Sequence, residues 1–109
     1  MWTTEQEDAA VALIEREMQT GLKNHGMFPT QHDGWAVILE EAEETQAETA
    51  NMMAAVDALK TAVFQDNDDI AYELADSVFR YAKNTMLEAM QTAAMAMKYM
   101  ESFKDEQNA

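Results

Sequence analysis

Cysteine is absent from this chain, proline occurs once and glycine three times. Without thiols there is no disulfide, no thiolate nucleophile and no Cys-ligated zinc or iron–sulfur centre. The near absence of Pro and Gly removes the usual helix breakers, and the residues used instead, Ala, Met, Glu and Gln among them, lose least on entering a helix. Basic side chains are also scarce: seven Lys and Arg stand against 21 Asp and Glu, a formal net charge of −14. Affinity for a nucleic-acid backbone comes from Lys and Arg, so the charge balance argues against that class of partner. No stretch approaches the roughly 18 consecutive apolar residues of a membrane span, and the opening MWTTEQEDAA lacks the basic and apolar regions of a signal peptide. These absences predict a soluble, cytoplasmic protein that engages neither nucleic acid nor membrane.

What remains is 109 residues, 48% of them hydrophobic, which predicts one all-α domain over 1–109. Thr3 or Thr4, followed three residues later by Gln6 or Glu7, reads as a capping box, and Val11, Ile14, Met18 and Leu22 continue as a helical stripe over about residues 4 to 24. Asn24-His25-Gly26 is a stop signal, and Pro29 keeps Phe28 out of helical geometry in the short connection that follows. A second helix begins near Thr30 or Gln31 and runs to about Phe64, with Gly34 close enough to its start to cost little. Gln65-Asp66-Asn67-Asp68 is a turn that can cap a third helix, from about 69 to 104. The last two helices predict a long antiparallel hairpin with arms on the order of 50 Å. The N-terminal helix can cover only part of it. The expectation is a four-helix-type bundle completed by oligomerisation, as a homodimer or homotetramer.

Acidic residues break the expected seam of this hairpin. Steps of three and four along the second helix give Ile38, Glu41, Thr45, Glu48, Met52, Val56, Leu59 and Val63, and along the third Leu74, Val78, Tyr81, Thr85, Glu88, Thr92, Met95 and Tyr99. Glu40, Glu41, Glu43, Glu44 and Glu48 crowd the upper part of the second helix, where like charges one turn apart destabilise by roughly 0.2–0.5 kcal/mol per pair. From Asn24 through Leu59 the only basic side chains are His25 and His32. Folding the two arms about a turn near residue 66 sets Glu44 beside Glu88 and Glu41 beside Gln91. Carboxylates so placed must be protonated, hydrated or neutralised by a cation. Hard oxygen ligands with no thiolate suit Mg²⁺ or Mn²⁺.

Glu40-Glu41-Ala42-Glu43-Glu44, followed across the hairpin by Glu88-Ala89-Met90-Gln91, resembles the E-E-x-x-E and E-x-x-D metal motifs of the MazG-like all-α nucleoside triphosphate pyrophosphohydrolases. The longer segments HGMFPTQHDGWAVILEE, from His25, and EAMQTAAMAMK, from Glu88, resemble a phage and bacterial branch with H-E-G-Y-A-V-I-x-E-E and E-A-x-Q-x-A-A-M-A-x-K. The likeness covers about residues 23 to 101. It implies that Glu41, Glu44 and Glu88 hold Mg²⁺, with Glu40 assisting or orienting water as the candidate catalytic base. The implied substrate is a nucleoside or deoxynucleoside triphosphate, cleaved to monophosphate and pyrophosphate. Gln91 stands where the fuller motif has Asp; its amide can coordinate through oxygen but supplies neither a base nor a charge.

Other residues admit plainer readings beside functional ones. Glu73-Leu74-Ala75-Asp76 is a literal E-x-x-D, but counting from the turn sets it opposite Val56 and Leu59, so Glu88 and Gln91 rank ahead of it. Lys23, His25 and His32 are candidate substrate contacts; Lys23 and His25 equally suit the last turn of the first helix, and His32 and Asp33 the start of the second. Phe28 and Trp35 can stack on a base or anchor the loop. Met86, Met90, Met95, Met97 and Met100 read as core or subunit packing.

Three functions compete: a Mg²⁺-dependent pyrophosphohydrolase; a catalytically weak MazG-like protein that binds nucleotides, which Gln91 favours; and an acidic helical protein that occupies a basic surface of a DNA-binding partner.

Overall fold

Thr3, with extended backbone (φ −80°, ψ 161°), opens the first helix: the Gln6 N–H donates to Thr3 Oγ1 at 3.1 Å and the Thr3 N–H to Gln6 Oε1 at 2.9 Å. This reciprocal box is the Thr3/Gln6 member of the pairs the sequence allowed. In the computed structural model, which describes residues 1–107, three helices follow in order, α1 Thr4–His25, α2 Gln31–Phe64 and α3 Asp68–Gln107. No strand occurs among the described residues, so the chain is all-α there. No helix among them is long and apolar enough to cross a membrane.

Local chemistry sets each boundary. Gly26 ends α1 at φ 72°, a conformation glycine enters without a Cβ penalty, and its N–H bonds Leu22 O at 2.8 Å. Thr30 opens α2: its hydroxyl accepts from the Asp33 N–H at 3.1 Å and donates to Asp33 Oδ2 at 2.7 Å. Asp66 turns the chain at φ 53°, and Asn67 is the residue that caps α3, its Oδ1 accepting from Ile70 N–H at 3.3 Å. α3 extends a few residues beyond the expected end and departs from helical geometry at Phe103.

The chain divides into two compact units. The first, Met1–Ala42 with the chain from Ala89 on, contains α1, the start of α2 and the end of α3. Met18, Phe28, Ala94 and Phe103 are buried there, together with Lys98. Ser102 ties the α1–α2 connection to α3, its Oγ accepting from the Phe28 N–H at 3.1 Å and donating to Lys98 O at 2.7 Å. Gly34 permits a close approach: a Cβ there would lie 2.6 Å from Tyr99 Cδ2 and 3.1 Å from Phe28 Cδ2. Its role is therefore to make room, beyond merely being tolerated near a helix start.

The second unit, Glu43–Glu88, is the helix–turn–helix made by the end of α2 and the start of α3. Its buried apolar residues are Ala55 and Ala62. Its larger apolar side chains, including Met53, Val63, Phe64, Tyr72 and Phe79, are exposed.

Candidate functional site

Within the second unit, Glu44 and Glu88 face one another, with a carboxylate oxygen of each within 4.8 Å of the other. The Glu88 carboxyl is accordingly held above its ordinary value of 4.5, first by desolvation, then by the hydrogen bond to Glu44 and the charges of Glu44 and Glu48. Glu48 Oε2 is buried and has no hydrogen-bond partner among the described residues. An orphaned carboxylate oxygen near two facing carboxyl groups is an arrangement that a cation would relieve.

Glu41 lies three residues before Glu44 on α2, one helical turn away. The donors are all hard oxygens, a set that fits Mg²⁺ or Mn²⁺ rather than a softer metal. Glu48 is the member of this neighbourhood that motif reasoning left out of the ligand set. Its seam position was the available signal, since it continues the line from Glu41 through Thr45.

The first unit carries a cleft of about 660 Å³. Its lining includes Glu41 and Gln91, the second pair expected from the hairpin count, along with His25, Phe28, Asp33 and Lys98. Gln91 does not stand free in it: its Nε2 donates to Glu17 Oε2 at 2.8 Å, which leaves its carbonyl oxygen as the coordinating atom. Glu17, on α1, is a site residue that no motif pointed to. Lys98 is buried with its Nζ 4.3 Å from the centre of the Phe28 ring. Phe28 thus anchors the loop, while Trp35 remains exposed.

The other expected residues are dispersed. Glu40 is exposed. His25 lines the large cleft, His32 a separate smaller one with Gln31, Trp35 and Tyr99, and Lys23 is exposed and lines neither. Asp76 of the rival E-x-x-D pairs with Arg80 at 3.0 Å, an exposed bond one helical turn long. That pairing already gives it a cation.

The chain matches no family model, no curated protein and no solved structure. The resemblance to MazG-like pyrophosphohydrolases therefore rests on the motif residues themselves.

Proposed function

We propose that this protein is a divalent-metal-dependent pyrophosphohydrolase that cleaves a nucleoside or deoxynucleoside triphosphate to its monophosphate and pyrophosphate. The observation that carries this reading is the Glu44–Glu88 carboxyl pair with the partnerless Glu48 oxygen close by. A purely structural α-helical contact gains nothing from opposed carboxyls, whereas a cation-binding one requires them.

Glu41, Glu44 and Glu88 would hold Mg²⁺ or Mn²⁺, with the Gln91 carbonyl oxygen as a weaker, uncharged donor. Bound there, the ion would supply positive charge to triphosphate oxygens and acidity to water. The Glu40 side chain is exposed and makes no ion pair among the described residues, which leaves it available to accept the proton of the attacking water. Water adds to phosphorus, the α–β phosphoanhydride bond breaks, and pyrophosphate leaves with its electron pair.

The exposed apolar side chains of the second unit support a four-helix-type bundle completed by a second subunit, in a homodimer or homotetramer. A second reading, a nucleotide-binding protein with weak or no turnover, is favoured by Gln91, whose amide is neutral and already engaged with Glu17. Pyrophosphate release from a panel of nucleotides, with and without Mg²⁺, tests the first reading. Turnover abolished in Glu41→Gln supports it. Metal-dependent nucleotide binding without turnover selects the second, and neither result leaves the acidic chain as a binder of a basic protein surface.

A further inference from the structure

Lys98 is the buried charged side chain of the described residues, with 4% of its surface exposed. Its ammonium rests over the Phe28 ring and makes no ion pair among the described residues, although the chain carries a net charge of −14. Carboxylates share its cleft, yet two of them are bonded elsewhere: Asp33 accepts the Thr30 hydroxyl at 2.7 Å and Glu17 the Gln91 amide at 2.8 Å. Burying an ammonium without a counter-ion is costly, and the aromatic face offsets only part of that cost.

The arrangement is held in place from both sides. Ser102 bonds the Phe28 N–H and the Lys98 carbonyl, fixing the loop that carries the ring to the turn of α3 that carries the cation. The cleft's volume of about 660 Å³ falls within the range of small-molecule sites. Met95 and Val37 give it apolar wall, and Asn24 and His25 give it polar groups.

We propose that this cleft binds an organic phosphate of nucleoside monophosphate size, with the phosphoryl group seated on Lys98. The choice of phosphate among oxyanions rests on the pyrophosphohydrolase reading; the requirement for an anion comes from Lys98 alone. An ammonium offers three donors and a full charge to phosphoryl oxygens, and Phe28 limits where that charge can point. The apolar wall is left for the nucleoside.

Calorimetric titration of the full chain in EDTA tests this with a deoxynucleoside monophosphate, the matching nucleoside and inorganic phosphate. The monophosphate binds, with affinity falling as salt rises, and the nucleoside and inorganic phosphate bind at least about tenfold more weakly. Lys98→Met keeps the length and the contact with Phe28 while removing the charge, and lowers monophosphate affinity by about tenfold or more; Lys98→Arg retains most of it. In the unaltered protein, which needs no variant to fold, amide shifts on titration centre on Phe28, Met95 and Lys98. Equal binding by Lys98→Met, equal binding of nucleoside or inorganic phosphate, shifts centred elsewhere, or no binding at millimolar ligand each overturns the proposal. No metal is present in these titrations, so a failure of Mg²⁺-dependent hydrolysis leaves their result standing, and the reverse holds equally.

Discussion

A carboxylate oxygen of Glu88 lies within 4.8 Å of one of Glu44, and desolvation, then the neighbouring Glu44 and Glu48 carboxylates, make Glu88 hold its proton more tightly than in the unfolded chain. The folded state therefore binds more protons than the unfolded state between 4.5, the ordinary value, and the raised folded one. Stability falls as pH rises through that window, and the penalty is fully present above it. In EDTA, the melting temperature should rise as pH is lowered from neutrality toward the window, before general acid unfolding begins. Glu88→Gln keeps a hydrogen-bond donor without a titrating proton and should flatten that rise. An unchanged pH slope in Glu88→Gln would assign the effect to another group.

Divalent metal should stabilise the fold. A ligand that binds the native state alone, at a hundredfold excess over Kd, adds about 2.7 kcal/mol, on the order of 10 °C in a chain of this size. Glu88→Ala should remove most of that response. Asp76→Ala should retain it and change stability by less than about 0.5 kcal/mol, because its pair with Arg80 is exposed. A melting temperature indifferent to millimolar Mg²⁺ and Mn²⁺, or a response lost with Asp76 and kept without Glu88, would remove the proposed site.

What was legible in the sequence was local or countable. Thr3 and Gln6 form their box within one turn of chain, and the turn at 65–67 fixes the register, from which the meeting of Glu44 with Glu88 follows by counting. Lys98 was not legible, because its burial depends on Phe28, which Ser102 holds against α3 from far along the chain. Glu17 escaped for the same reason: its link to Gln91 joins α1 to α3, and no spacing within either helix encodes it. Glu48 lay on the seam in plain view, but a motif that stops at Glu44 gave it no role.

Gly34 and Gly21 separate helix propensity from packing. Replacing an interior helical glycine by alanine gains about 0.5–1 kcal/mol from propensity alone. At Gly21 the new methyl would meet only the flexible Met95 Cε, at 3.4 Å, so Gly21→Ala should be neutral or stabilising. At Gly34 it would strike the Tyr99 ring at 2.6 Å, and overpacking of roughly 1–3 kcal/mol outweighs the gain. Urea midpoints of the two variants should move in opposite directions, or Gly34→Ala alone should fall; a Gly34→Ala as stable as the parent would show that Tyr99 swings clear.

Phe64, Tyr72 and Phe79 leave well over half of their surface exposed, at 76%, 80% and 66%. Soluble chains rarely leave large aromatics bare in such number, so light scattering at micromolar concentration should return a multiple of 12.3 kDa. Phe79→Glu should shift the mass toward the monomer. A parent protein at 12.3 kDa would overturn the oligomer.

Gln91→Asp gives a test whose sign depends on metal. The substitution removes the amide that donates to Glu17 Oε2 at 2.8 Å and sets a carboxylate in the same cleft as Glu17 and Glu41. Without metal it should destabilise by roughly 1–3 kcal/mol, through a lost hydrogen bond and added like charge. With a divalent cation held by Glu41, Glu44 and Glu88, a fourth carboxylate adds charge at the ion, so the Mg²⁺-induced rise in melting temperature should exceed that of the parent, and any hydrolysis should increase. Pairing it with Glu17→Gln should recover the loss seen in EDTA, since an amide at 17 can donate to Asp, while leaving the gain with Mg²⁺ intact. A Gln91→Asp variant that is weaker in EDTA and gains no more from Mg²⁺ than the parent would place Gln91 outside the metal's reach, as a structural link between α1 and α3.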